Sequence, residues 1–382
     1  MLLSLLRKYY SHLLFLISVL VLSRVLLLNF YPDFSNYYYG AKLAFSGGNP
    51  YMGDYHFFSQ YLYPPIFTIL FFPFTFFTFQ IAEKIWTVLS LSAFFVTIYL
   101  IFKLLKEDIF KTQNLLLFGI ILLTFFPTKF TLGMGQANMF IFLLFALSIY
   151  SYHLDRKTIS GFFLAFSILL KVFPVFLILF FIINKKWKIL VAFAIFSCVF
   201  LAATYFIVGG NINIYFVKNV LPSLLSGWKT DYYNQALTGF IGRATNNLQI
   251  RIFFKIILSA IIFLITLFSF FKKTKSELTN LKIGIAISAS LLINAFSWQH
   301  HFVWILFPLF ATLFYIKKNH FQISSYALLL LSYILIAWNF PNPAGIPVIL
   351  RSHVFYGGLI LWGFDICLVC KSGFKTAKSI ER

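Results

Sequence analysis

The sequence predicts an all-α, polytopic membrane protein, and three observations predict it. Hydrophobic residues fill 60% of the 382 positions and charged residues only 11%. The apolar residues gather in runs of Leu, Ile, Phe and Val, the pattern of helices that need about 20 such residues to cross a bilayer. Basic clusters recur between the runs, as the positive-inside rule requires of cytoplasmic loops. The longest polar gaps reach roughly forty residues, below an ordinary soluble domain. The chain therefore reads as a single integral-membrane domain over residues 1–382.

The elements follow in order. A first span, roughly His12 to Phe30, comes after Arg7-Lys8 and lacks a small-residue cleavage site. It is too long for a signal-peptide core and reads as a retained anchor. An outer loop over 31–80 follows. Within it, Pro64 to Phe79 could be a span, but counting it would export the next basic cluster. It reads instead as a short re-entrant or interfacial element, broken near Pro73. A helix at Ile81–Phe102 then crosses, followed by 112–130 and 136–152.

The run Ile159–Ile183 is interrupted by Lys171-Val-Phe-Pro174. One span there would export Asn184-Lys-Lys-Trp-Lys188, whereas two short helices meeting at the Lys–Pro break keep it inside. Next come 187–208, a second outer loop over 209–249, and 250–271, 280–297, 302–316, 321–338 and 353–370. That makes about twelve crossings with both termini cytoplasmic. The inner clusters are Arg7-Lys8, Lys103/Lys106/Lys111, Arg156-Lys157, Lys185-Lys186/Lys188, Lys272-Lys273/Lys275, Lys317-Lys318 and the tail from Lys371 to Arg382. No internal repeat stands out.

The net charge of +21 would suggest nucleic acid in a soluble chain. Here the positives flank apolar helices, so the expected partners are membrane lipids and no nucleic acid. The 53 Phe serve packing and lipid contact. Cys198 lies in an apolar run, and Cys367 and Cys370 lie near the end of the last span without polar ligands or a βαβ setting. They read as structural.

Only ten Asp and Glu occur, and Asp33 opens the first outer loop. The topology sorts most uncharacteristic polar residues to that same face. Asp33, Asp54, Tyr63, the stretch Gly133-Met-Gly-Gln136-Ala-Asn138, Lys171, Asn234-Gln235, Arg243, Ser297-Trp298-Gln-His300-His301 and Arg351/His353 all fall there. Such convergence is what a site at the outer membrane surface requires.

A lysine at mid-bilayer costs about 2.5–3.5 kcal/mol on insertion scales, so Lys171 either snorkels at a helix end or serves as a cation for a phosphate beside a helix break. His300 and His301 follow Trp298 at another outer helix end. Arg243 either pairs with Asp231 or faces the site, and Arg24 can snorkel outward toward it. Gln136 and Asn138 either cap the helix that follows or contact a sugar.

No metal is expected. The sequence has no Asp-x-Asp and no His-Glu-x-x-His, and adjacent His300 and His301 point about 100° apart on a helix. No phosphate loop or dinucleotide fingerprint appears, so no cofactor is called.

Several segments together resemble glycosyltransferase family 87. These are Asp33-Phe with Tyr38 and Ala41, Gly48-Asn-Pro-Tyr51, Tyr63-Pro-Pro65, Gly135-Gln-Ala-Asn138, Gly161 with Lys171 and Pro174, Asn234-Gln-Ala-Leu237 with Arg243, and Ser297-Trp-Gln-His-His301. They recur in the expected order over roughly residues 30 to 310. The resemblance implies a GT-C fold, a polyprenyl-phosphate sugar donor with mannose the majority choice, inverting transfer to a lipid or glycan acceptor at the outer face of a bacterial inner membrane, and no metal requirement. It makes Asp33 the base and puts Lys171 and His300 or His301 near the donor phosphate. Ala236 departs from the family, which commonly carries Ser there, and that bears on acceptor choice.

The residues suit this chemistry. A phosphate is a good leaving group, so the reaction needs a base for the acceptor hydroxyl and cations or donors for the departing phosphate. Asp33 supplies the first. Lys171, His300, His301 and Arg243 supply the second, with Tyr63, Gln136, Asn138, Asn234, Gln235 and Trp298 binding donor phosphate or sugar. Asp54 is the reserve base. A transporter or flippase for a lipid-linked sugar would place its polar residues near the midplane. An envelope polysaccharide polymerase or ligase would join preassembled oligosaccharides. Both remain alternatives at this stage.

Overall fold

The computed structural model describes residues 2–52, 60–171, 175–226, 228, 230–272 and 278–378. Asp54, Pro174, Lys273, Lys275 and Arg382 lie outside the described residues. Within them the chain is helical from end to end, and the only strand-like pairing is an isolated antiparallel bridge between Asn234 and Trp298.

The helices are α1 (Leu2–Ser23), α2 (Pro32–Phe45), α3 (Ile66–Phe71), α4 (Phe79–Leu104), α5 (Thr112–Thr124), α6 (Phe126–Gly133), α7 (Asn138–His153), α8 (Lys157–Leu170) and α9 (Val175–Ile183). They continue as α10 (Trp187–Val208), α11 (Gly210–Tyr215), α12 (Leu221–Ser226), α13 (Leu237–Ala244), α14 (Leu248–Phe271), α15 (Thr279–Ile293), α16 (Leu306–Lys318), α17 (Ile323–Ala337) and α18 (His353–Lys378). Short 3-10 turns cover Arg24–Leu27, Phe72–Phe76 and Gln299–Ile305.

Local chemistry explains the boundaries. Pro127 lacks an amide donor for the Leu123 carbonyl and its ring crowds the preceding turn, so α5 stops and α6 leaves at 57°. Asn247 starts α14 by accepting from the Gln249 and Ile250 amides. Gly209 ends α10 with φ +105°, a left-handed conformation open to glycine.

Six helical segments among the described residues are long and apolar enough to cross a membrane, or seven if the bent α5–α6 pair is one span. The expected spans all appear as helices, but several are short. Helices α7, α8, α15 and α17 have 16, 14, 15 and 15 residues, against the roughly 20 of a standard span. The segment expected to be re-entrant or interfacial holds α3 and the 3-10 turn Phe72–Phe76, which contains Pro73. The expected break at Lys171 appears between the 14 residues of α8 and the 9 of α9.

Helix α8 packs between α7 and α10. A Cβ on Gly161 would sit 2.6 Å from both the Ala192 Cβ and the Ile189 carbonyl. Only glycine permits that approach, which starts α8 and α10 side by side. Because α8 is the shorter, its end at Lys171 stops inside the bundle. The first loop lies over an aromatic bed in which Phe34, Tyr37, Phe67, Phe71 and Trp86 touch one another. Such packing fixes α2 rigidly.

Candidate functional site

Asp33 sits in the first turn of α2, just after Pro32, whose fixed φ suits the first helical position. The helix N-terminus favours its negative charge. Its amide donates to the Met134 carbonyl at 2.9 Å, which fastens α2 to the loop after α6. Gly135 makes the close approach possible. It has φ +68°, and a Cβ there would lie 2.8 Å from the Phe34 Cβ and 2.9 Å from the Tyr31 Cβ. The Trp86 indole donates to the Gly135 carbonyl at 2.9 Å. The loop so held delivers Gln136 and Asn138 beneath Asp33.

Lys171 enters from the α8–α9 break. Its ammonium donates to the Asn138 Oδ1 at 2.8 Å and to the Gln136 Oε1 at 3.4 Å. The Tyr37 hydroxyl also donates to the Gln136 Oε1, at 3.0 Å. An ammonium can only donate, so both amides turn their oxygens toward it. The Gln136 Nε2 then faces the Tyr63 hydroxyl at 3.5 Å. Tyr63 in turn donates to the Asp33 Oδ1 at 3.2 Å.

Asp33 is only 7% exposed, and its Oδ2 has no hydrogen-bond partner among the described residues. Burial raises its pKa above the ordinary carboxylate value, while the Gln136 amide, the Lys171 charge and the Tyr63 hydroxyl pull it back. Burial pushes Lys171 the other way, down to about 7, with Asp33 opposing the shift. Each group is thus expensive to ionise alone and cheaper beside the other.

The two histidines divide. The His301 Nδ1 accepts from the Trp298 amide at 3.1 Å, and its ring stacks on Trp304 with centroids 5.7 Å apart. That is a local cap. His300 is buried against Phe130 and His301, and neither ring nitrogen has a partner among the described residues. Its carbonyl accepts from Thr131 at 2.8 Å and from the Asn138 Nδ2 at 3.3 Å, so Asn138 links it to Lys171. The Lys171 charge reaches both histidines.

The other predicted residues form a second cluster. The Asn234 Oδ1 accepts from the amides of Ala236 and Ser297, and the Gln235 Nε2 donates to the carbonyls of Tyr232 and Arg351. The Arg243 Nη1 donates to the Asp231 and Asn234 carbonyls at 2.8 Å, and its Nε and Nη2 donate to Ser352. Burial lowers its pKa to about 10. Trp298 joins the clusters, pairing with Asn234 on one side and with His301 on the other.

Two readings are corrected. Arg243 meets the backbone carbonyl of Asp231, not its carboxylate, because the guanidinium lies under the chain turn that Asp231 opens. Neither Gln136 nor Asn138 caps α7. Ala137 occupies the N-cap without a side-chain bond, and both amides turn to Lys171 instead. Arg24 is exposed on the turn after α1, while Arg351 donates to the carbonyls of Ala344 and Ile346. Tyr37 was missed, although its position four residues after Asp33 puts both on one helix face. Thr131 gave no signal at all.

Among the described residues no group of three His, Cys, Asp or Glu is placed to hold a metal ion. A family model described as glycosyltransferase family 87 matches residues 61–297, more than half of the chain. The chain belongs to glycosyltransferase family 87. As a member of that family it is a glycosyltransferase, and its apolar helices make it a membrane protein. The family match contains Tyr63, Gln136, Asn138, Lys171, Asn234, Gln235 and Arg243, whereas Asp33, Trp298, His300 and His301 fall outside it. No curated protein and no solved structure matches the chain significantly.

Proposed function

We propose that this family 87 enzyme moves a hexose, with mannose the first choice, from a polyprenyl-phosphate donor to a lipid or glycan acceptor, with inversion. The reaction belongs at the outer face of a bacterial inner membrane, in a chain of about twelve crossings with cytoplasmic termini. One observation carries the reading: among the described residues the Asp33 Oδ2 and both His300 nitrogens lack hydrogen-bond partners, and the Lys171 charge reaches both residues. Buried polar groups are normally satisfied, so unsatisfied ones gathered beside a cation mark a place for a ligand.

The hydrogen-bond directions assign the atoms. Gln136 donates to Tyr63, so Tyr63 spends its one proton on the Asp33 Oδ1. The Oδ2 is left to accept the proton of the acceptor hydroxyl. The acceptor oxygen bonds to the anomeric carbon as the bond from that carbon to the phosphate oxygen breaks. The electron pair leaves with the phosphate, whose charge Lys171 holds and His300 can bond. A single carboxylate at the site among the described residues suits single-step inversion, since a retaining enzyme generally needs a nucleophile beside its acid/base. Tyr63, Gln136 and Asn138 act here by orienting the base and the cation. Asn234, Gln235, Arg243, Trp298 and His301 support the walls.

The test supplies membranes carrying Asp33→Asn with polyprenyl-phosphate monosaccharides and reads products by mass. Normal insertion with lost transfer is expected. Full activity in that variant would remove Asp33 as the base.

A further inference from the structure

A recess of about 480 Å3 lies away from this site, at the far end of α2. Two identical tripeptides line it: Gly47-Gly48-Asn49, after α2, and Gly209-Gly210-Asn211, after α10. Gly47 has φ +86° and Gly209 φ +105°, and among the described residues no atom beyond their chain neighbours lies within 4 Å of a Cβ built on either. Glycine is demanded there by the turn and not by crowding, and it leaves bare peptide edges facing the recess.

Gly210 does something different. A Cβ on it would lie 2.7 Å from the Tyr205 ring, so its absence lets that ring lie against the backbone. Tyr205 is 50% exposed and lines the recess. Six of the ten lining residues belong to the two Gly-Gly-Asn turns, whose peptide and amide groups are polar. That is unusual at the end of α10, whose neighbouring Phe206 and Ile207 are bare apolar side chains.

Among the described residues no charged side chain lines this recess, which argues against a phosphate or a carboxylate as its occupant. Peptide edges, two asparagine amides and an aromatic face suit a neutral, hydroxyl-rich ligand. The position along α2 narrows the choice. Ala44, in the lining, follows Asp33 by about 16 Å at a rise of about 1.5 Å per residue. The sugar being transferred must sit at Asp33 and cannot fill both places. The rim is tied to the base by Tyr51, whose hydroxyl donates to the Tyr63 carbonyl at 2.6 Å and whose ring stacks on Tyr215.

We propose that the recess between the two Gly-Gly-Asn turns is an acceptor subsite that binds a neutral oligosaccharide, holding the units distal to the hydroxyl that reacts at Asp33. The inference rests on the transferase reading above, but binding can be measured without turnover.

The purified full chain is titrated with a panel of octyl triosides built from mannose, glucose, galactose or N-acetylglucosamine. Wild type binds at least one of them. Val208→Trp, which sends an indole into the recess, weakens that binding by about tenfold or more with Tm unchanged. Asn211→Ala, a truncation of an exposed side chain, weakens it less and serves if the tryptophan variant misfolds. No binding by wild type, or wild-type binding by both recess variants, overturns the proposal. Retained transfer by Asp33→Asn would sink the base assignment and leave the subsite standing.

Discussion

The two polar clusters differ in how their hydrogen bonds are used. Around Asn234, Gln235 and Arg243, donors and acceptors meet the protein itself: the carbonyls of Asp231, Tyr232, Asn234 and Arg351, the amides of Ala236 and Ser297, and the Ser352 hydroxyl. Around Asp33, Lys171 and His300, a carboxylate oxygen and both imidazole nitrogens are left over among the described residues, whereas beside Asn234 it is the neutral Ser297 hydroxyl and Gln299 carbonyl that are. Polarity alone therefore does not mark a substrate site in a membrane protein. The Asn234 cluster fastens a loop to the segments at Ser297 and Ser352, and in the proposed reading the Asp33 cluster keeps groups in reserve for substrate.

The largest effect expected to sharpen this contrast is at Asp33. Asp33→Asn should lower kcat by about 10²–10⁴-fold, the range of a positioned general base, in a protein of unchanged Tm. Next comes Lys171→Met, which should cost about 10²–10³-fold in transfer, as loss of one donor to a developing anion does. The pH profile of kcat/KM belongs to the same pair. It should rise as Asp33 ionises above the ordinary carboxylate range and fall as Lys171 deprotonates near about 7. Because the two interact, both limbs describe the pair and not one residue.

Smaller effects separate the clusters. Tyr63→Phe removes a bond that lowers the Asp33 pKa, so the rising limb should move to higher pH with only a several-fold loss of rate. A fixed limb with the same rate loss would leave Tyr63 a packing residue. Arg243→Ala should act on stability first, at about 1–3 kcal/mol for the carbonyls it strands, read as a fall in Tm while the KM for donor stays near wild type. A raised KM at unchanged Tm would break the comparison, because it would make Arg243 a ligand group.

Much of the site was legible for an energetic reason. A charge in an apolar chain is costly, so Asp33 and Lys171 announce themselves, and the Lys171-Val-Phe-Pro174 interruption of an apolar run is visible in the sequence. The partition between clusters was not legible. Nothing local to Arg243 tells that Ser352, more than a hundred positions away, will satisfy its guanidinium. Nor does Asn138 tell that it turns to Lys171 rather than capping its own helix. The span count also reads differently in the two views. Apolar runs look like crossings in the sequence, but α7, α8, α15 and α17 are helices too short to be standard ones.

The short helices that bring in Lys171 carry a mechanical consequence. At about 1.5 Å per residue, α8 and α9 reach about 21 and 14 Å, well under the roughly 30 Å of a hydrocarbon core. We expect the bilayer to thin or dip where the polar ends of these helices face it. A lipid whose headgroup sinks into that dimple pays less to reach Lys171 than one standing in flat membrane. Turnover should then follow acyl-chain length in reconstituted vesicles, fastest where the thickness of the membrane matches the depth of the dip.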